Sequence, residues 1–285
     1  MTTDTAAAYA HCARLVRDHN ENFPVASRLL PARLRAPVSV IYAFARGADD
    51  FADEGDAPPA ARLAALDDWA RMLDAAAAGT PPPHPVFVAL ADVLRTYALP
   101  VRLLHDLIDA FRMDVRQARW PDFDALLHYC RHSADPVGRL LLHLDGSATP
   151  ANLADSDRIC TGLQLVNHWQ DLGQDAAEND RVYVPEDELT AYGVTIEQLR
   201  ERRVDDALVR LMAFQRARAR GLLVAGAPLA RRLRGRMALE IALVVQGGLR
   251  VLDKLDAAAA DPFARPRLDA RDWAALAWRT LRGSP

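Results

Sequence analysis

Lysine is almost missing from this chain: Lys254 stands alone among 35 basic residues, and 38 acidic residues leave a net charge of -3. That balance excludes a general nucleic-acid binder, which would carry a basic face. The arginine bias by itself reads as genome composition. Cysteine is scarce too. Cys12, Cys130 and Cys160 have no metal-ligand spacing, and their odd number leaves one unpaired in any disulfide scheme, so reduced thiols in a cytoplasm are expected. No apolar run approaches the ~18 to 20 residues of a bilayer span, and the first residues lack the basic and apolar regions of a signal peptide. Contact with a membrane would therefore be peripheral. No strand alternation, no repeat period and no glycine-rich dinucleotide fingerprint occurs, so no NADPH is expected.

What the chain has is helical periodicity. With 51% hydrophobic and 26% charged residues over 285 positions it reads as globular, and no composition shift marks a boundary, so residues 1–285 are expected to form one all-α domain. The spacing of apolar residues predicts helices over about 5–17, 35–53, 60–78, 86–97, 101–118, 123–131, from 135 onward, 156–177, 195–224, 231–260 and 273–281. Prolines and glycines punctuate them, notably Pro58-Pro59 and Pro81-Pro82-Pro83. Arg181–Pro185 is expected to be irregular or extended.

Two of these helices carry oxygen-bearing stripes. Residues four apart share a helix face, so Asn167, Asp171 and Asp175 form one stripe, with Gln164 one turn ahead. Asp49 and Asp53 form another, with Arg46 one turn before them. Neighbouring carboxylates repel by roughly 3 kcal/mol per pair at ~6 Å and an effective dielectric of ~20, and by only tenths of that on an open surface. Solvated faces are one reading of such stripes. Their apolar and aromatic flanks (Tyr42, Phe44, Phe51, Leu165, Trp169, Leu172) favour the other, partial burial around a cation. Aspartate and asparagine oxygens without cysteine or histidine on the stripe suit Mg²⁺, with Mn²⁺ as its substitute, rather than zinc. His168 lies about 100° around the helix from Asn167 and reads as packing or support. Mg²⁺ held by few carboxylates completes its shell with phosphate oxygens, so a diphosphate ligand is implied. Its departure would leave a carbocation, which needs a dry pocket with aromatic faces. Phe23, Tyr42, Phe44, Phe111, Tyr129 and Trp169 are candidate walls.

At these residues the sequence resembles the squalene/phytoene synthase family. Arg46-x-x-Asp49-Asp50-x-x-Asp53 looks like the family's first motif, and Gln164-Leu-Val-Asn167-x-x-x-Asp171-x-x-x-Asp175 followed by Arg181-Val-Tyr183 looks like its second; Tyr129 ahead of Val137-Gly138 matches a further landmark. The resemblance implies an isoprenoid-synthase helical bundle around an apolar cavity, with the two stripes facing each other. Asn22-Phe23-Pro24, Tyr129 to Arg139 and Asn167 to Asp171 are most similar to the hopanoid-pathway branch that makes hydroxysqualene from presqualene diphosphate. Asn22 and Pro24 replace serines usual elsewhere in the family, and Pro136 interrupts a small-residue segment, which speaks against a complete two-step condensation.

The resemblance then implies that metal on Asp49, Asp53, Asn167, Asp171 and Asp175 draws off diphosphate. Arg46, Arg181, Tyr183, Asn22, Phe23, Tyr42 and Gln164 would hold the substrate. Asp49, Asp53, Asp171, Asp175 and Tyr129 are the catalytic candidates, and the diphosphate, Tyr129 or His132 could position the captured water. Partners implied are a prenyl diphosphate and a membrane surface or neighbouring isoprenoid enzyme. The alternatives are a head-to-head condensing synthase and an inactive isoprenoid-binding protein.

Overall fold

A computed structural model describes residues 3–18, 29–53, 57–178 and 180–281; the side chains of Thr3, Asp53 and 277–281 are not described. Its helices are α1 (Thr3–Asp18), α2 (Ala32–Asp53), α3 (Pro59–Ala77), α4 (Pro85–Tyr97), α5 (Val101–Arg116), α6 (Phe123–Ser133), α7 (Asp135–Asp145), α8 (Pro150–Glu178), α9 (Glu186–Tyr192), α10 (Ile196–Arg200), α11 (Asp206–Gly226), α12 (Pro228–Arg232), α13 (Gly235–Ala257) and α14 (Ala270–Leu281). Among the described residues the only β-pairing is an isolated bridge between Arg119 and Val182. The protein is all-α. No described helix is long and apolar enough to cross a membrane.

Local chemistry fixes many helix ends. Pro59, Pro85 and Pro228 open α3, α4 and α12, where a first-turn residue needs no N–H. Asp122, Thr195 and Asp205 accept from the backbone N–H groups of Ala125, Gln198 and Leu208 and so cap α6, α10 and α11. Helix α8 starts at Pro150 rather than at Ser156, since proline is as acceptable in its first turn as in the others. The expected 195–224 helix breaks at Arg202, which takes φ 52, and restarts at the Asp205 cap. The expected 231–260 helix divides into α12 and α13. Helix α9 was not expected; Glu186, Asp187 and Glu188 in its first turn suit the positive end of a helix dipole.

The chain forms two compact units: residues 1–116 with 136–149, and residues 117–135 with 150–285. In the first, α2 packs among α1, α3, α4 and α5. Trp69 is its anchor, with ring centroids 4.6 Å from Phe87, 5.4 Å from Phe51 and 6.0 Å from Phe44, and an indole N–H donating to the Phe44 carbonyl at 3.3 Å. Gly47 makes this approach feasible, because a Cβ there would lie 2.7 Å from the Trp69 ring. Pro37, inside α2, cannot donate to the carbonyl of Arg33 four residues back; the Tyr97 hydroxyl donates to that oxygen instead, at 3.2 Å.

In the second unit α8 lies against α11, α13, α10 and α6. Its apolar side (Ile159, Leu165, Val166, Trp169, Leu172) is buried, which fixes the helix's rotation and therefore where its polar edge points.

Candidate active site: two acidic helix edges

On α2 the acids are neutralised by their own helix. Arg46 donates from Nη1 to Asp49 Oδ2 at 2.9 Å and pairs through Nε with Asp50 Oδ1 at 2.7 Å. These side chains are half-buried, Asp50 being the wettest at 41% exposed. Tyr42 is half-buried one turn before Arg46. Asp53 continues the helix, its side chain outside the described set.

On α8, Gln164, Asn167, Asp171 and Asp175 are all half-buried on one edge. Two oxygen atoms stand out there. Asn167 Oδ1 is buried with no hydrogen-bond partner. Asp171 Oδ1 sits 2.5 Å from Nε of Arg265, a guanidinium brought from 94 residues away. Arg265 also donates from Nη1 to Gln174 Oε1 at 2.8 Å, while Gln170 Nε2 donates to the Pro266 carbonyl at 2.7 Å and Lys254 Nζ to the Arg267 carbonyl at 2.8 Å. Residues 263–267 thus form a strap along the polar edge. Gly173 leaves room for it, since a Cβ there would meet Phe263 at 3.1 Å and Arg202 at 2.9 Å. Sequence reasoning passed over Arg265, Gln170 and Gln174; the one signal for the strap was an Arg-Pro-Arg in an otherwise alanine-rich tail.

The end of α8 leads directly into the remaining residues of the second motif. The Arg181 N–H donates to the Asp175 carbonyl at 2.9 Å, Val182 N–H to Ala118 at 3.0 Å and Glu186 N–H to Trp120 at 2.9 Å. Pinned this way, the extended stretch delivers Tyr183 into an aromatic nest. Its ring stacks on His168 with centroids 3.6 Å apart and planes 12° apart, and lies 5.8 Å from Tyr129, whose ring is 4.7 Å from Trp120. Tyr129 and Tyr183 are buried and Arg181 is half-buried. Burial pushes the His168 imidazole down to about 3, so it is uncharged at neutral pH. His132 caps its own helix, its Nδ1 2.8 Å from the His128 carbonyl. Asn22 and Phe23 lie outside the described residues.

The α8 edge fits a divalent ion. It offers a hard oxygen left unsatisfied at Asn167 and a carboxylate already holding a cation at Asp171. Among the described residues no group of three histidine, cysteine, aspartate or glutamate side chains converges on one point. A single helix edge presents one oxygen group per turn, so it grips Mg²⁺ only together with waters or phosphate oxygens.

The family model for squalene/phytoene synthase matches residues 16–274. The chain is 38% identical over 241 residues to hydroxysqualene synthase of Rhodopseudomonas palustris, covering 84% of this chain and 80% of that one. It is 34% identical over 214 residues to phytoene synthase of Mycobacterium tuberculosis, covering 75% and 69%. Among solved structures, squalene synthase HpnC of Alicyclobacillus acidocaldarius superposes with a TM-score of 0.86 at 36% identity, covering 92% of this chain and 98% of that one. A dehydrosqualene synthase superposes at 0.82 with 21% identity, covering 98% and 97%, a likeness of fold.

Proposed function

The chain belongs to the squalene/phytoene synthase family, and on that premise we propose that it ionises presqualene diphosphate and lets water capture the rearranged cation, releasing hydroxysqualene and diphosphate. The observation that carries the choice of product is the similarity to hydroxysqualene synthases over about four fifths of both chains.

In this reading Asp49, Asp53, Asn167, Asp171 and Asp175 hold Mg²⁺ or Mn²⁺, and Arg46, Arg181 and Tyr183 donate to diphosphate oxygens. The metal supplies, when bound, the positive charge that stabilises the departing diphosphate. The carbon–oxygen bond breaks with its electron pair on the diphosphate. Asn22, Phe23, Tyr42 and Gln164 hold the substrate, while the faces of Tyr129, Tyr183 and Trp120 are suited to a passing carbocation. The arginine of the strap is a further phosphate-facing donor once Asp171 turns to metal. No nicotinamide is needed, since the alcohol forms without reduction. The apolar product requires a membrane surface or a second enzyme to receive it.

Incubating the purified protein and Mg²⁺ with presqualene diphosphate, and separately with farnesyl diphosphate, tests the reading: alcohol from the first and no turnover of the second is expected. The second reading, head-to-head condensation of two prenyl diphosphates, is favoured by the 34% identity to a phytoene synthase and the 36% identity to a solved squalene synthase. Hydrocarbon or cyclopropyl diphosphate from farnesyl diphosphate would establish it instead.

A further inference from the structure

His168 stands one turn after Gln164 and one turn before Asp171, at the border of the polar edge of α8, where Tyr183 and Tyr129 cover it. Its helix neighbours on the buried side are Leu165 and Leu172. The imidazole is 7% exposed, yet its Nε2 has no hydrogen-bond partner. A buried ring nitrogen left in that state costs about 1–3 kcal/mol. It lies in an aromatic nest, one residue along from the unsatisfied Asn167 Oδ1, so two buried polar atoms in succession await a partner from outside the chain.

We infer that His168 Nε2 holds the water molecule that captures the carbocation, accepting one of its O–H bonds so that its lone pair faces the reacting carbon. The inference rests on the reaction proposed above. Capture demands an acceptor rather than a donor. Water presents a lone pair to an electrophile only when its hydrogens are directed elsewhere, and the Tyr183 stack holds the imidazole plane fixed while this happens. The balance is simple. The substrate's C–O bond breaks with both electrons on diphosphate, the water oxygen forms the new C–O bond, and the extra proton leaves to the released diphosphate.

His168→Phe keeps a ring on Tyr183 and removes the nitrogen, His168→Leu removes both, and His168→Gln restores an acceptor. The readouts are alcohol formed per diphosphate released from presqualene diphosphate, hydrocarbon by mass analysis, and ¹⁸O incorporation from labelled water, with folding checked by circular dichroism. For the Phe and Leu proteins the alcohol-to-diphosphate ratio is expected to fall about tenfold or more. Elimination hydrocarbon should replace the alcohol, and Gln should recover most of the ratio. A purely structural histidine would slow diphosphate release without moving that ratio. Should the Phe variant fail to fold, the Leu variant decides. Wild-type partition in a folded apolar variant overturns the role of His168 alone, whereas wild-type protein that makes no alcohol overturns the reaction and the inference with it.

Discussion

The two acidic edges solve the same electrostatic problem in different ways. On α2 the counterion is Arg46, three and four residues from the acids it pairs with, so it is bound to move with them. On α8 the counterion for Asp171 arrives on a separate strap, and Asn167 keeps an oxygen with no partner at all. An i,i+4 arginine is a permanent feature of its helix. A strap can leave. The α2 edge is therefore a fixed, partly neutralised anion, and the α8 edge an anion whose counterion comes from a separate segment.

The comparison breaks most visibly in turnover. Asp171→Asn, which keeps the shape but removes the negative charge and one of the two oxygens, is expected to lower turnover of presqualene diphosphate at least about a hundredfold, in the range lost when one electrostatic stabiliser of a developing charge is removed. Asp49→Asn should fall comparably if both edges serve the same diphosphate. Initial-rate assays with circular dichroism controls decide; an Asp49→Asn protein at wild-type rate would confine the chemistry to the α8 edge.

Stability separates the units next. In Gly47→Ala the new methyl meets the rigid Trp69 ring at 2.7 Å, and overpacking of this kind costs about 1–3 kcal/mol. At Gly173 the near atoms are the tip of Arg202 at 2.9 Å and the edge of Phe263 at 3.1 Å on the strap, which can shift, so Gly173→Ala should cost less in denaturant titration. An equal loss at both positions would mean the strap is as fixed as the Trp69 core.

Acid probes the second unit through His168. Its folded value, about 3, lies below the ordinary 6.5 because of burial, so between these values the unfolded chain takes up a proton that the folded chain refuses. Stability is unaffected above pH 6.5 and falls as pH drops through the window, by up to about 1.4 kcal/mol per pH unit from this group. His168→Phe is expected to flatten that slope in urea titrations between pH 6.5 and 4. Asp272 acts at lower pH: burial alone would raise it, but Lys254 and Arg250 hold it well below the usual carboxylate range, so its contribution is lost only in stronger acid.

Much of the α2 edge was legible in the sequence because everything that makes it is local: Arg46, Asp49 and Asp50 lie within five residues, and helical spacing alone brings them together. The oxygen stripe of α8 was legible for the same reason, and the buried face of Leu165, Val166 and Trp169 follows from periodicity. The strap was not. Nothing in the pattern of Asp261 to Leu268 is periodic, and its placement depends on a gap at Gly173 and on single contacts to Gln170, Gln174 and Asp171. The stack of Tyr183 on His168 was equally hidden, since it depends on an extended stretch pinned to Ala118 and Trp120, residues about sixty positions earlier. Helix α8 begins at Pro150, ahead of the expected start at Ser156, because the turn from Pro150 to Asp155 carries little apolar periodicity while its proline is acceptable in a first turn.

The smallest expected effect tests the difference between the edges most directly. If Arg265 occupies the place of a cation on Asp171, metal must displace it, and the ion pair subtracts from metal affinity. A partly exposed pair is worth about 0.5–1 kcal/mol, so Arg265→Gln should tighten Mn²⁺ binding about two- to fivefold in a titration of free Mn²⁺ by electron paramagnetic resonance, without substrate. It should also speed tryptic cleavage after Arg267, because the strap loses its hold on Asp171 and Gln174 while Arg265-Pro266 is not a tryptic site in the wild type. Arg46→Gln should change Mn²⁺ affinity less, its carboxylates being wetter and its charge shared between two of them. If Arg46→Gln tightens binding more than Arg265→Gln, the exchangeable edge is the one on α2, and the roles assigned to the two counterions are reversed.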